Sequence, residues 1–205
     1  MELNYKKAIK QVIKFLEKIE KKFGIKYYLV GGILASLYSD IRATEDIDFV
    51  TDLASTRNEL NFYVELLKDN GFFPFQDWKS AVMLCKENSL LQLLDRQQLI
   101  KLDNYIILTP LDIRNKYSIL SYLGLKNRKR LNVGGIKCWV ASKEDFILGK
   151  LLYGGWQDYH DALGCWLRFK NELNTIYLEK NSKKLGIHEK YELLKSGIRD
   201  PDDFF

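Results

Sequence analysis

Between Tyr27 and Val50 the chain reads YYLVGGILASLYSDIRATEDIDFV, and the order of these residues leaves few folds open. A hydrophobic run stops at Gly31-Gly32, helical spacing follows at Ile33, Leu34, Leu37 and Tyr38, and a second run carries Asp46 and Asp48 around Ile47 and Phe49. Alternation of period two marks a strand with one buried face, so Asp46 and Asp48 share the other face, a few Ångström apart. Like charges that close need a neutralising partner. A divalent cation that also binds phosphate oxygens is the usual one, since Mg²⁺ takes one or two carboxylates and completes its octahedron with water and substrate. The glycine pair adds an anion site, because a strand ending in Gly-Gly and turning into a helix offers unobstructed N–H groups and a helix N-terminus. Arg42 and Thr44 follow on the approach to the acidic strand, one suited to clamp a phosphate and the other to bond phosphate or the backbone of the turn. Singly these features are commonplace: Gly-Gly after a strand is mostly a turn, and acids on a strand can simply blunt a sheet edge. Their combination in this order is specific, and neither a Walker phosphate loop nor a Gly-x-Gly-x-x-Gly fingerprint occurs.

This order resembles the nucleotidyltransferase superfamily that shares its core with DNA polymerase beta. The phrase Arg42-Ala43-Thr44-Glu45-Asp46-Ile47-Asp48 looks most like the minimal prokaryotic branch that includes the AbiEii-type toxins of toxin–antitoxin systems. The resemblance covers residues 24–50 and, more loosely, 139–164. It implies an α+β fold, a small mixed sheet flanked by helices, with a nucleotidyltransferase core and N-terminal helix over 1–140 and a helical part over 141–205. It further implies Mg²⁺ held by Asp46 and Asp48, and an NTP bound through Gly31, Gly32, Arg42, Thr44 and a downstream lysine. The implied reaction is transfer of an NMP to a hydroxyl of RNA, tRNA first, or of protein, with an antitoxin protein as a candidate partner.

The second stretch is WVASKEDFILGKLLYGGWQDYHDALG. Ser142 reads as an N-cap with Glu144 and Asp145 in the first helical turn. Lys150 lies within the apolar stripe of Phe146, Ile147 and Leu151. Snorkelling of its stem accounts for that position, whereas the resemblance implies a ligand for the nucleotide phosphates. Beyond the Gly154-Gly155 break, Asp158 and Asp161 stand at i and i+3 on a new helix. A solvated helix start or a salt bridge is one reading of the pair. The resemblance implies the other, that one acid activates the acceptor or steadies the lysine, which demands hydrogen-bond reach. His160 faces elsewhere on that helix and His188 is the only other histidine, so a histidine-based metal site is not expected.

Catalytic members of the superfamily bring a third carboxylate from a neighbouring strand, and here the signal weakens. Ser89 to Asp95 reads as the second arm of a hairpin whose first arm is Ser80 to Lys86 and whose turn is Glu87-Asn88. Where the family pattern places an acid, this chain has Gln92; Asp95 comes three residues later and on the opposite face of a regular strand. Asp95 serves only if a bulge re-aims it. Without a third acid the same fold would bind nucleotide with weak turnover or none.

With 205 residues and 46% hydrophobic content the chain can bury one core, or a core with a smaller attached domain. No apolar run approaches the ~20 residues of a membrane span, and Lys6, Lys7 and Lys10 lead to Glu17 and Glu20 rather than to a signal-peptide centre, so a cytoplasmic protein is expected. Cys85, Cys138 and Cys165 are too few and scattered for a zinc site or a disulfide framework, and read as buried thiols. Net charge of +5 favours an anionic partner. The run Lys126-Asn127-Arg128-Lys129-Arg130 is either a phosphate-binding patch for RNA or a solvated loop. The lysines of the first helix, Lys10, Lys14, Lys18, Lys21 and Lys22, lie opposite a stripe of Val12, Ile13, Leu16, Ile19 and Phe23, which is ordinary amphipathic architecture. The remaining pattern predicts helix 2–23, strand 26–31, helix 32–39, strand 45–51, helix 55–70, strand 136–140 and helices from 142 onward. Residues 96–125 stay ambiguous, with an apolar run at Tyr105 to Leu108 and a helix-like 111–123.

Overall fold

The computed structural model describes residues 2–40, 43–56, 58–109 and 115–199; Arg42 and residues 111–114 lie outside them. The described residues include seven strands, β1 (Lys26–Val30), β2 (Asp46–Asp52), β3 (Phe73–Pro74), β4 (Leu90–Leu94), β5 (Lys101–Ile107), β6 (Lys129–Val133) and β7 (Ile136–Val140). They form one mixed sheet in the order β3-β4-β5-β2-β1-β7-β6, in which β2 runs parallel to β5 and β1 parallel to β7. Helices cover both faces, the expected α+β architecture.

Adjacent residues of β1 show the two faces. Tyr27 sends its hydroxyl to Glu17 of α1 (Glu2–Phe23) on one side, and Tyr28 donates to the Ser121 carbonyl of α5 (Lys116–Asn127) on the other, at 2.9 Å. On the α1 side, Val12, Ile13, Leu16 and Ile19 are buried, and Phe15 packs edge-on against Phe72 beside α3 (Leu60–Asp69). On the α5 side lies α6 (Lys143–Tyr153), followed by α7 (Trp156–Phe169), α8 (Thr175–Leu185) and α9 (His188–Ser196). Buried residues of the sheet and of these C-terminal helices belong to one continuous hydrophobic cluster. No described helix is long and apolar enough to cross a membrane, and the three cysteines are buried and unbonded.

Several elements differ from expectation. Ser80 to Lys86 is not a strand: it belongs to helix α4 (Trp78–Asn88), started by Asp77, whose carboxylate accepts from the Ser80 N–H at 3.0 Å, and ended by Ser89 at φ +57°. β4 therefore pairs with β5 across the turn at residues 95–100. The ambiguous stretch resolves into β5 and α5, the latter capped by Asn115. Residues 31–38 form a 3₁₀ turn (Gly31–Leu34) and the short α2 (Ala35–Tyr38), and the helix expected from 55 begins only at Leu60. The basic run at 126–130 is no loop either, since it closes α5 and opens β6.

Candidate active site

The pairing of β2 with β5 builds a square of charges on one sheet face. Asp46 stands opposite Lys101 and Asp48 opposite Asp103, all four on the same side of the pleat. Asp46, Asp48 and Asp103 each place a carboxylate oxygen within 4.8 Å of the others. The Lys101 ammonium lies 2.9 Å from Asp103 Oδ2, and its pKa is raised chiefly by that hydrogen bond, with Asp103, Asp46 and Asp48 adding to it.

Each acid is held by local structure. Thr44 Oγ1 donates to Asp46 Oδ1 at 3.1 Å, and the Tyr5 hydroxyl of α1 donates to the Asp46 carbonyl at 3.1 Å. Gln92 Nε2, one strand over, donates to Asp103 Oδ1 at 3.3 Å. The Gly32 N–H donates to Asp48. Gly31 sits at φ +70°, and a Cβ built there would overlap the Asp48 carboxylate, so only glycine fits beside this acid. Burial above all, then the charges of Asp46 and Asp103, push the Asp48 carboxyl up to about 7, against the opposing pull of Lys150 and the Gly32 amide.

Lys150 faces this cluster from α6. That helix starts where the Ser142 hydroxyl accepts from the Asp145 N–H at 3.1 Å and stops at Gly154 in the left-handed region. The chain then re-enters α7, with Asp158 accepting from the Gly155 N–H. Lys150 Nζ lies 2.7 Å from Asp158 Oδ1 and 2.8 Å from Asp161 Oδ2, and both Lys150 and Asp161 are buried. The ammonium is thus pinned by two carboxylates on the next helix, a geometry common to the salt-bridge reading and to the reading in which an acid steadies the lysine.

Acids and lysine line a cavity of about 330 Å³ that continues between α5 and α6 past Tyr28, Leu120 and Phe146. At its rim Tyr117 and Tyr153 are half exposed, with ring centroids 5.4 Å apart, and Tyr153 is hydrogen-bonded to Tyr105. An aromatic wall beside a charged floor suits a ligand with a flat apolar end and an anionic end.

Of the expected site residues, Gly31, Gly32, Thr44, Asp46, Asp48, Lys150 and Asp158 line this cavity, and Asp161 stands behind Lys150. Arg42 lies outside the described residues. Asp95 is not brought here: it is buried at the β4–β5 turn, where its carboxylate accepts from the N–H groups of Gln97, Leu99 and Ile100 at 3.2, 2.8 and 2.9 Å. Asp103 occupies the third acidic position instead. It escapes a sequence reading because the apolar run begins at Tyr105 while the strand begins at Lys101; extending the strand back by one period places Asp103 on the Tyr105 face. The basic run divides. Arg128 pairs with Glu20 at 2.6 Å, Arg130 pairs with Glu17, and both guanidiniums lie over the Trp139 ring, which ties β6 and β7 to α1 and leaves only Lys126 and Lys129 exposed.

No family model matches the chain, and no curated protein matches it. Solved structures do. An antigenic nucleotidyltransferase-like protein from Paracoccidioides brasiliensis superposes with a TM-score of 0.53 at 19% identity, over 93% of this chain and 92% of that one. Two others align at lower TM-scores. The lincosamide antibiotic adenylyltransferase LnuA gives 0.47 at 20% identity over 76% of this chain and 94% of its own, and the antibiotic-resistance factor ANT(2'')-Ia gives 0.46 at 13% over 97% and 93%. The likeness to the first is one of fold: this chain has the α+β fold of a nucleotidyltransferase-like protein.

Proposed function

We propose that the chain is a divalent-cation-dependent nucleotidyltransferase that moves an NMP from an NTP to an acceptor hydroxyl. The observation that carries this reading is the meeting of Asp46, Asp48 and Asp103, from adjacent strands, with Lys150 across one cavity. Three hard oxygen donors gathered at one point fit Mg²⁺, and no nitrogen or sulfur donor competes among them. When bound, Mg²⁺ would offset the carboxylate charges and polarise phosphate oxygens.

The chain's own residues supply the rest. Thr44 and the Gly32 N–H hold Asp46 and Asp48 in place, so little reorganisation accompanies binding. Lys150, oriented by Asp158 and Asp161, meets the triphosphate oxygens and neutralises charge on the departing pyrophosphate. Tyr117 and Tyr153 offer their faces to the base. The acceptor oxygen bonds to the α-phosphorus, the bond to pyrophosphate breaks, and the hydroxyl proton passes to a nearby carboxylate or to solvent. A nucleotide-binding protein without turnover is the rival reading. It rests on Gln92 standing where an acid belongs, and Asp103, hydrogen-bonded to Gln92, weakens that ground.

RNA is the acceptor we favour, tRNA first; toxicity restrained by an antitoxin is the finer form of the same reading, checked by growth arrest on expression of wild type and not of Asp48→Asn. The decisive experiment incubates purified protein, Asp48→Asn and Asp103→Asn with each α-labelled NTP, Mg²⁺ and bulk tRNA before a denaturing gel. Label on RNA or protein that disappears in both variants is expected. Transfer retained by Asp48→Asn would sink the assignment, and Mg²⁺-dependent nucleotide binding with no label in any lane would favour the rival.

A further inference from the structure

Most strongly placed cations of this chain have a carboxylate beside them. Arg128, Arg130, Lys143, Lys150, Lys183 and Lys195 are all so matched. Lys7, Lys10 and Lys14 are different: all three are exposed, and none meets an acidic side chain among the described residues. With Lys18 they follow one another along α1 at steps of three and four, a single stripe roughly 16 Å long.

The stripe is one wall of a groove of about 480 Å³ whose other wall is Asn70 and the β4–β5 turn with exposed Arg96. This groove is built rather than incidental. Gln11 crosses its floor, donating to the carbonyls of Asn70 and Gly71 at 3.1 and 3.2 Å and accepting from the Arg96 N–H at 3.0 Å. The single acid in its lining, Asp95, is 1% exposed and turned inward onto three amides, so it shapes the turn that carries Arg96 and offers no charge to the groove. Five cations therefore face solvent with no exposed anion among them.

We infer that this groove holds the phosphate backbone of an RNA, which rests on the reading that the acceptor hydroxyl belongs to RNA. A concave track of unneutralised cations suits a strand, whereas a membrane surface would call for a flat or convex one. The track also leads to the chemistry: Tyr5, half a turn before Lys7, bonds the Asp46 carbonyl, so the stripe begins at the sheet end where the carboxylates stand. Phe15, the aromatic of the groove, is buried, which leaves no face for stacking and makes the contact one of backbone charge, not base identity.

Fluorescence anisotropy with labelled tRNA tests this, using the full chain, a Lys7→Glu/Lys10→Glu/Lys14→Glu variant and a Lys126→Glu/Lys129→Glu variant, each checked by circular dichroism. The groove variant should bind at least about tenfold more weakly and lower the slope of log affinity against log salt by about two to three. The second variant should match wild type. Unchanged binding by the groove variant, loss confined to the 126/129 variant, or groove-dependent binding of phosphatidylglycerol vesicles without binding of tRNA would each overturn the inference. Asp48→Asn should bind tRNA like wild type, so failure of the transfer reading and failure of the groove show in different assays.

Discussion

Asp48 is the residue on which the site turns, and its burial among like charges has a cost that can be measured. Its pKa rises from 3.8 unfolded to about 7 folded, so between those values the folded chain binds a proton that the unfolded chain has released. Stability of cation-free protein should accordingly fall as pH rises through that window and stay low above it. Asp48→Asn removes the buried charge and the repulsion it meets and should melt higher than wild type at pH 8 by about 2–4 °C per kcal/mol relieved, with little difference at pH 4, while losing Mn²⁺ binding. Thermal melts at the two pH values check the first part and a Mn²⁺ titration the second. Lys101 makes the complementary case. As the one positive corner of the charge square it competes with a metal ion for Asp103. Lys101→Met should therefore raise Mn²⁺ affinity on the order of tenfold and lower the cation-free melting temperature; calorimetric titration with Mn²⁺ would show it, and unchanged affinity would refute the competition. At this scale the sequence is readable where chemistry is local. Gly31, Gly32, Asp46 and Asp48 fall within one short segment and declare one another. Asp103 lies on another strand and joins the acidic cluster only through the parallel register that sets it opposite Asp48, which no local pattern encodes.

Elements with chemical boundaries are the ones a sequence announces. Ser142, Gly154 and Gly155 mark the limits of α6 and the start of α7, and both helices appear there because the caps satisfy backbone groups that would otherwise be orphaned. Ser80 to Lys86 lacks such a marker inside the run, and a short apolar stretch suits strand or helix alike. Asp77, outside the run, decides for helix by accepting from Ser80. The α6–α7 corner buries charge: Lys150 and Asp161 are buried together, with Asp158 as the third member of the group. Lys150→Ala would take the ammonium away from a buried carboxylate and should cost about 3 kcal/mol in urea unfolding. Adding Asp158→Asn and Asp161→Asn should recover part of that loss without restoring transfer. Full recovery of transfer in the triple variant would show that the lysine serves packing alone.

Across the whole molecule, charge is distributed with more order than a count of +5 conveys. The arginines of the 126–130 run, conspicuous in sequence, are taken up in joining α1 to the sheet, while Lys7, Lys10 and Lys14, which look like the polar side of any amphipathic helix, line a groove with no described acidic side chain beside them. Composition shows the excess, but only the fold shows which cations are left over. The sheet separates the two proposed binding regions. Residues that alternate along β1 reach α1 on one side and α5 on the other, so the lysine groove and the acidic cavity open on opposite faces and meet only at the end of β2. Two ligands arriving on opposite faces do not exclude one another. On the proposed reading, a nucleotide and a long polymer would be resident together, in either order of arrival, with no nucleotidyl group stored on the protein between them.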